Sequence, residues 1–420
     1  MILTMEPEGV GSGRVEQLSS FAAREAALNA LSYVDFYRYV FAPLRGTSVR
    51  RLVPSKMSIV EGLGKSAQSW VAALSSTLGV ANLRFCTLLP FRGVLAPRAV
   101  VHPYRSWCPI CLQNKLISGE TVYEPLVWRI SEVDWCPIHS VRLTVCCPEC
   151  GRGSQTWVSF HARAGCCRFC GCWLGRDSVQ SEDAPNEFEL FCAQACEQLL
   201  SLAFDANENH RLLPSDQIAS ALRDVFFSGS GARMERSLGL PRGQGNHYCV
   251  GTFPAPLHYY LRAIYYSGAT IREVFASNEF QQKEPQRQTL TFPFRRASAR
   301  RSLPGENIAA KLREALLRFP PPSVRRIAEE LDVDSQLVWR RCAELATDVS
   351  ARYATYVAER AAENRKSFRA SVRDVLARYG TSVSAQDMKR LLGDPSCYLN
   401  DWKREIIRDE MVDSMCARDG

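Results

Sequence analysis

The sequence predicts a multidomain, mainly α-helical chain. Helix-turn-helix units are expected to flank a compact cysteine-rich module whose β elements are small and ribbon-like. Three observations carry this. Apolar residues recur at helical spacing on both sides of residues 101–176. Ten of the seventeen cysteines fall between Cys108 and Cys172, and only Cys86 precedes them. A length of 420 residues at 46% hydrophobic content is enough for roughly two to four domains with buried cores.

Taken in order, residues 1–100 are an N-terminal helical arm and lead-in. Its stretch "VEQLSSFAAREAALNALSYVDFYRYVF" reads as one or two helices with Leu18, Phe21, Ala22 and Leu28 on one face. Residues 101–176 form the cysteine-rich module. Residues 184–285 read as a helical domain in which Leu257, Leu261, Ile264 and Tyr265 make a helix stripe. Residues 286–303 are basic and contain Pro and Ser, as a linker does. Residues 304–420 are a C-terminal helical region with one or two helix-turn-helix units. There "LREALLRF" (312–319) resembles "VRDVLARY" (372–379), a weak repeat that two unrelated amphipathic helices would also produce.

Charge and cysteine usage narrow the class. Net charge is +8, and 44 of the 52 basic residues are Arg. Arginine suits bidentate contacts to phosphate and guanine, although a GC-rich genome gives the same bias. Met1–Gly13 is acidic and Gly-rich with no apolar signal region, and no apolar run reaches the roughly 18 residues of a membrane span. A soluble, cytoplasmic protein without a membrane partner is expected. In a reducing compartment, seventeen cysteines argue for thiolate–metal chemistry over disulfides.

The cysteine spacing is specific. "WCPIC" offers Cys108 and Cys111, and "WCPIH" offers Cys136 and His139. A C-x-x-[CH] turn aims two ligands at one ion, and the Pro after each first Cys stiffens it. Three thiolates and one imidazole complete a closed tetrahedron that holds structure and activates no water. "CPECG" and "CRFCG" then offer Cys147, Cys150, Cys167 and Cys170 for a second ion. Each pair ends in Gly, which permits the positive φ of such turns. Two structural zinc ions per chain are expected, with metal binding coupled to folding of the module. A cross-braced arrangement is the alternative. Cys146, Cys166 and Cys172 fall outside the register, although Cys146 and Cys166 each precede a knuckle and a slip would bring them in. His161 is a weaker candidate ligand.

"SVRRIAEELDVDSQLVWRRCAEL" (323–345) reads as a helix-turn-helix. Ile327, Ala328 and Leu331 form the inner face of its first helix, and Asp332 sits where the turn favours αL. Val333 and Val338 anchor the turn and second helix, and Ser335 would cap that helix. Gln336, Trp339 and Arg340, with Arg341 nearby, face outward, where Gln and Arg can read base edges. Arg325 and Arg326 fit phosphate contacts. Local acidic residues leave a solvated helical hairpin as the alternative. Shorter candidates are 232–244 and 384–406. In the linker, Arg295, Arg296, Arg300 and Arg301 could track a phosphate backbone or simply be solvated.

No motif points to an enzyme. "GLGKS" (62–66) ends like a phosphate-binding loop, but Ile59 stands where the motif needs its first Gly.

The ordered string "RSWCPICLQ", "YEPLVWRISEVDWCPIHSVRLTVCCPECG" and "CCRFCGCWLG" resembles the TniQ/TnsD family of transposition proteins. The family pattern is a CPxC knuckle, a Trp-containing strand, a CPxH knuckle, a CPxCG knuckle and a CxxCG knuckle. The resemblance covers residues 14–176 well and 184–285 more loosely. The opening departs from it, with "GRVEQLSS" where relatives have "VPES" or similar. The resemblance implies a non-catalytic adaptor. Such a protein recognises target DNA, directly or through an RNA-guided effector complex, and recruits an AAA+ ATPase regulator of the TnsC/TniB kind and thereby the transposase. The number of DNA-binding candidates points to the TnsD-like branch. A zinc-containing helix-turn-helix transcriptional regulator is the alternative from another class.

Overall fold

The computed structural model describes residues 3–38, 60–153, 157, 162–179, 184–208, 212–277, 279–280, 303–331, 333–394, 397–398 and 401–416. The expectations for Arg295, Arg296, Arg300, Arg301, His161 and Asp332 lie outside the described residues. The chain divides into two compact units. The first comprises Met1–Cys147 and Gly153–Phe292, and the second Pro148–Arg152 and Pro293–Gly420. It is mostly helical, with isolated bridges as the described β pairing.

In the first unit, α1 (Leu18–Leu28) buries Leu18, Phe21, Ala22 and Ala26 completely. Leu28 instead is 40% exposed. It is the last residue of the helix, where the chain turns away from the core through Ala30 at φ 56. A short α2 (Tyr33–Phe36) follows, capped by Ser32, whose Oγ accepts from the Asp35 amide at 3.0 Å. Helix α3 (Lys65–Leu78) starts directly after Gly64 and ends at Gly79 in the left-handed region, so "GLGKS" is simply its entry. Helix α4 (Pro109–Ser118) carries Pro at its first position and Cys108 as N-cap.

The Trp-containing segment expected as a strand is a 3-10 turn, Leu126–Arg129. Pro125 starts it, and the Trp128 amide turns back onto the Pro125 carbonyl at 3.2 Å instead of pairing across a sheet. That curl buries Leu126, Val127 and Trp128 fully. Next come α5 (Glu187–Glu208), α6 (Ser215–Phe226), α7 (Gly231–Leu238), α8 (Gln244–Cys249) and α9 (Leu257–Ser267). The α9 stripe of Leu257, Leu261, Ile264 and Tyr265 is buried as its spacing requires.

A buried polar hub ties the lead-in to the cysteine-rich module. Glu124 and Arg105 are both fully buried and ion-paired. Glu124 Oε2 also accepts from Gln17 Nε2 at 3.0 Å, and the Glu124 amide donates to Ser20 Oγ at 3.1 Å. Arg105 Nη1 donates to the Cys166 carbonyl at 3.0 Å, and its guanidinium lies 4.0 Å from the Trp157 ring centre. Every charge in the hub is met, which is the condition for tolerating ions at such depth.

The second unit contains α10 (Gly305–Ala315), α11 (Val324–Glu330), α12 (Ser335–Arg341), α13 (Ala343–Tyr379), α14 (Ala385–Leu391) and α15 (Asp401–Cys416). Two apolar clusters form in it. Ile308, Leu312, Ile327, Ala328, Val338, Ala346 and Val349 make one, and Val372, Val375, Leu376, Met388, Cys397 and Ile407 the other. Helix α13 contributes to both from its two ends. The paired segments 312–319 and 372–379 do the same work in each, with Leu312 and Val372 fully buried. Among the described residues, no helix is long and apolar enough to cross a membrane.

Candidate metal centres and a candidate nucleic-acid face

Cys108, Cys111, Cys136 and His139 converge on one point. The first pair is placed by α4: Cys108 caps it, and its Sγ accepts from the Cys111 amide at 3.4 Å. The second pair sits on a tight turn. Trp135 and Arg142 form a bridge beneath it, the Cys136 amide donates to the Val141 carbonyl at 2.8 Å, and Ser140 takes φ 51 to close it. Trp107 bridges Thr144 and sets the two turns side by side.

The distances fit a tetrahedral ion. Zinc–sulfur bonds of about 2.3 Å and zinc–nitrogen bonds of about 2.0 Å give edges of about 3.8 Å between sulfurs and about 3.5 Å between sulfur and nitrogen. The Cys111–Cys136 sulfurs are 3.6 Å apart, and His139 Nδ1 lies 3.5, 3.2 and 3.6 Å from the sulfurs of Cys108, Cys111 and Cys136. The donor set therefore fits zinc, with Nδ1 as ligand. The ring then carries its proton on Nε2; Asn114 Nδ2 lies 3.3 Å from that nitrogen, and the amide turned over would offer its oxygen to the proton.

Electrostatics favour a thiolate at Cys111, whose pKa is held well below the ordinary thiol range first by hydrogen bonds from the Cys108 and Cys136 thiols and further by Arg14, while those two thiols are pushed up. Arg14 Nη2 donates to Cys111 Sγ at 3.5 Å, and Nη1 lies 3.8 Å from Glu197. Burial works against the Arg14 charge, yet Cys111 and Glu197 together raise its pKa above the ordinary value. The motif spacing did not reveal Arg14. It stands in the "GRVEQLSS" opening, 97 residues before Cys111, and a lone arginine in a Gly-rich lead-in carries no local signal.

Cys147, Cys150, Cys167 and Cys170 form the second group, so the knuckles pair in chain order and are not cross-braced. Gly151 and Gly171, each just after its C-x-x-C, take φ of 66 and 67. The Phe169 amide donates to Cys167 Sγ at 3.4 Å, and Cys166 bridges Trp173. The Cys147–Cys170 sulfur distance is 3.7 Å, again a tetrahedral edge. Both groups are compatible with structural zinc, and neither leaves a ligand position open for water.

In the segment expected to be a helix-turn-helix, α11 and α12 pack through Ile327, Ala328 and Val338. Leu331 and Val333 are partly buried against the same cluster. Ser335 is not the cap. Asp334 is, and its Oδ1 accepts from the Gln336 amide at 2.8 Å. A carboxylate meets both the unpaired amide and the positive helix end, which a hydroxyl does not. Ser335 is the first helical residue. Gln336, Trp339, Arg340 and Arg341 are exposed on one helix, as are Arg325 and Arg326 on α11. Arg326 lies 3.6 Å from Glu330. Residues 232–244 join α7 to α8 through Gly239, and Glu235 is turned inward to accept from the Gly245 amide at 2.9 Å. Residues 384–406 join α14 to α15, with Ser384 capping α14 and Trp402 packed on the second cluster.

No curated protein matches the chain. The TniQ family model matches residues 8–143, which run from the lead-in through the last ligand of the first centre. This N-terminal part of the chain, with α1 to α4 and the Cys3His centre, is therefore similar to the TniQ family.

Proposed function

We propose that the chain is a target-site selection adaptor of transposition, TnsD/TniQ-like, that binds double-stranded DNA and recruits an AAA+ ATPase regulator. The observation carrying this reading is the TniQ match over residues 8–143, together with the Cys3His centre inside it. The two zinc ions are structural and hold a rigid platform. The N-terminal part engages the ATPase, and the ATPase brings the transposase. The second unit supplies the DNA contact. Helix α12 presents Gln336, Arg340 and Arg341 on its exposed face, with Trp339 41% exposed among them, and no acidic side chain lies on that helix. Gln336 and Arg340 read base edges, and Arg325, Arg326 and Arg341 hold phosphates. Arg295, Arg296, Arg300 and Arg301 extend the same backbone contact.

The test has two parts. An AAA+ ATPase regulator should be encoded beside this protein, and its pull-down with the full chain should succeed, with or without target DNA. No interaction in either condition would sink the adaptor reading in favour of a transcriptional regulator. Footprints of Gln336→Ala with Arg340→Ala should show relaxed sequence preference, each base contact being worth about 1–3 kcal/mol. An unchanged footprint moves recognition off α12. No footprint at all without a guide complex would point to RNA-guided targeting.

A further inference from the structure

We propose that Cys172 is a fifth thiol of the second metal centre, and that it completes an alternative four-sulfur set with Cys147, Cys167 and Cys170. Its position in sequence, outside the C-x-x-C register, argues against this. Its position in space argues for it. Cys172 Sγ lies 3.2 Å from Cys147 Sγ, closer than Cys170 Sγ at 3.7 Å. The Cys172 thiol also interacts with those of Cys167 and Cys170.

The local fold explains the approach. Gly171 turns the chain at φ 67, and the Cys167 amide then donates to the Cys172 carbonyl at 2.9 Å. The same hairpin bridges Cys166 with Trp173. The strand leaving the knuckle therefore runs back along the strand entering it, and Cys172 returns to the side of Cys167. A longer side chain at position 171 would not take this turn, because the left-handed region disfavours a Cβ.

The geometry also says which ligand Cys172 duplicates. Four thiols within 4.8 Å of one another outline the vertices of a tetrahedron. A further thiol touching three of them lies over the face those three define. For Cys172 that face is Cys147, Cys167 and Cys170, and the vertex opposite is Cys150. The centre thus holds two overlapping donor sets that differ only in Cys150 against Cys172. Either provides four sulfurs for an ion that prefers thiolate, and the odd sulfur keeps its proton. The site is built to retain its metal when Cys150 is withdrawn, alkylated or oxidised.

Zinc content per chain tests this on the full-length protein. Wild type, Cys150→Ser and Cys172→Ser should each hold two zinc ions, and the double variant Cys150→Ser/Cys172→Ser should hold one. A fall to one in Cys150→Ser alone overturns the proposal, and so does retention of two in the double variant. A second measurement does not depend on Cys150→Ser folding. Cys172→Ser removes no member of the primary set, so it can be compared directly with wild type under EDTA challenge. It should release one of its two ions several-fold faster than wild type, and equal release rates overturn the assignment.

Discussion

The two metal centres share a donor count and a turn type, yet they are secured differently. The Cys3His centre is reinforced from outside its knuckles. Arg14 donates to Cys111, Asn114 meets the far nitrogen of His139, and α4 begins on Cys108 itself. The all-cysteine centre is reinforced from within, by a further thiol on its own hairpin. One centre depends on the lead-in and the other on local redundancy. The difference teaches that a knuckle motif specifies ligands but not what holds them in place.

The largest effect should come from removing a ligand at the centre that has no further thiol beside its set. Cys136→Ser should release the first ion and unfold the module, since structural zinc contributes on the order of 10–16 kcal/mol to such folds. Zinc content and thermal melting check this, and a cooperative native melt with one zinc would contradict it. The comparison with Cys150→Ser, which should keep two ions, is then direct.

Next is the hub. Glu124→Ala should destabilise the first unit by about 3–5 kcal/mol, because it strands the buried Arg105 charge. Chemical denaturation measures it, and a loss under about 1 kcal/mol would mean that Arg105 finds another partner or water.

A smaller, more selective effect is expected at Arg14. Arg14→Ala should weaken zinc at the Cys3His centre by roughly 10–100-fold and leave the other ion unaffected, as loss of a supporting hydrogen bond does. Site-resolved chelator competition reads this, and equal weakening of both ions would erase the contrast drawn above.

The last effect is a pH slope in the same lead-in, spread across several pH units. Burial raises Glu16 from 4.5 to about 7, against the pull of Arg24 and the Ser20 hydroxyl. The folded state then keeps a proton that the unfolded chain has released. Its contribution is fully present below about pH 4.5, declines as pH rises, and is lost above about pH 7. Glu16→Gln should flatten stability across that window. An unchanged slope in denaturation at pH 5, 6 and 7 would show that Glu16 ionises normally in the fold.

Much of the centres was legible beforehand, because a C-x-x-C turn brings its ligands together through local backbone geometry. Cys108, Cys111, Cys136, His139, Cys147, Cys150, Cys167 and Cys170 all sit where their spacing placed them. The helical character of α1, α9 and α12 was legible for a similar reason, since 3.6-residue periodicity is a local property. The Trp128 segment was not, because an aromatic, β-branched run reads as a strand, and only the fold shows it curling between isolated bridges at Pro125 and Ile130. The cap of α12 differed by one residue, which adjacent Asp and Ser do not resolve by pattern alone.

By itself, then, the sequence determined the helical class, the eight candidate ligands and the resemblance of residues 8–143 to the TniQ family, while the fold settled that the knuckles pair in chain order. Tertiary structure alone decided what surrounds them. Arg14 reaches Cys111 across 97 residues, Glu124 meets Gln17 across 107, and Cys172 joins a set from which its register excludes it. The physical reason is range. Turn geometry and helix periodicity act over a few residues and leave a trace in spacing. Charge pairing, hydrogen bonding to a thiolate and thiol proximity act through space, and only the folded chain brings their partners within about 3–4 Å.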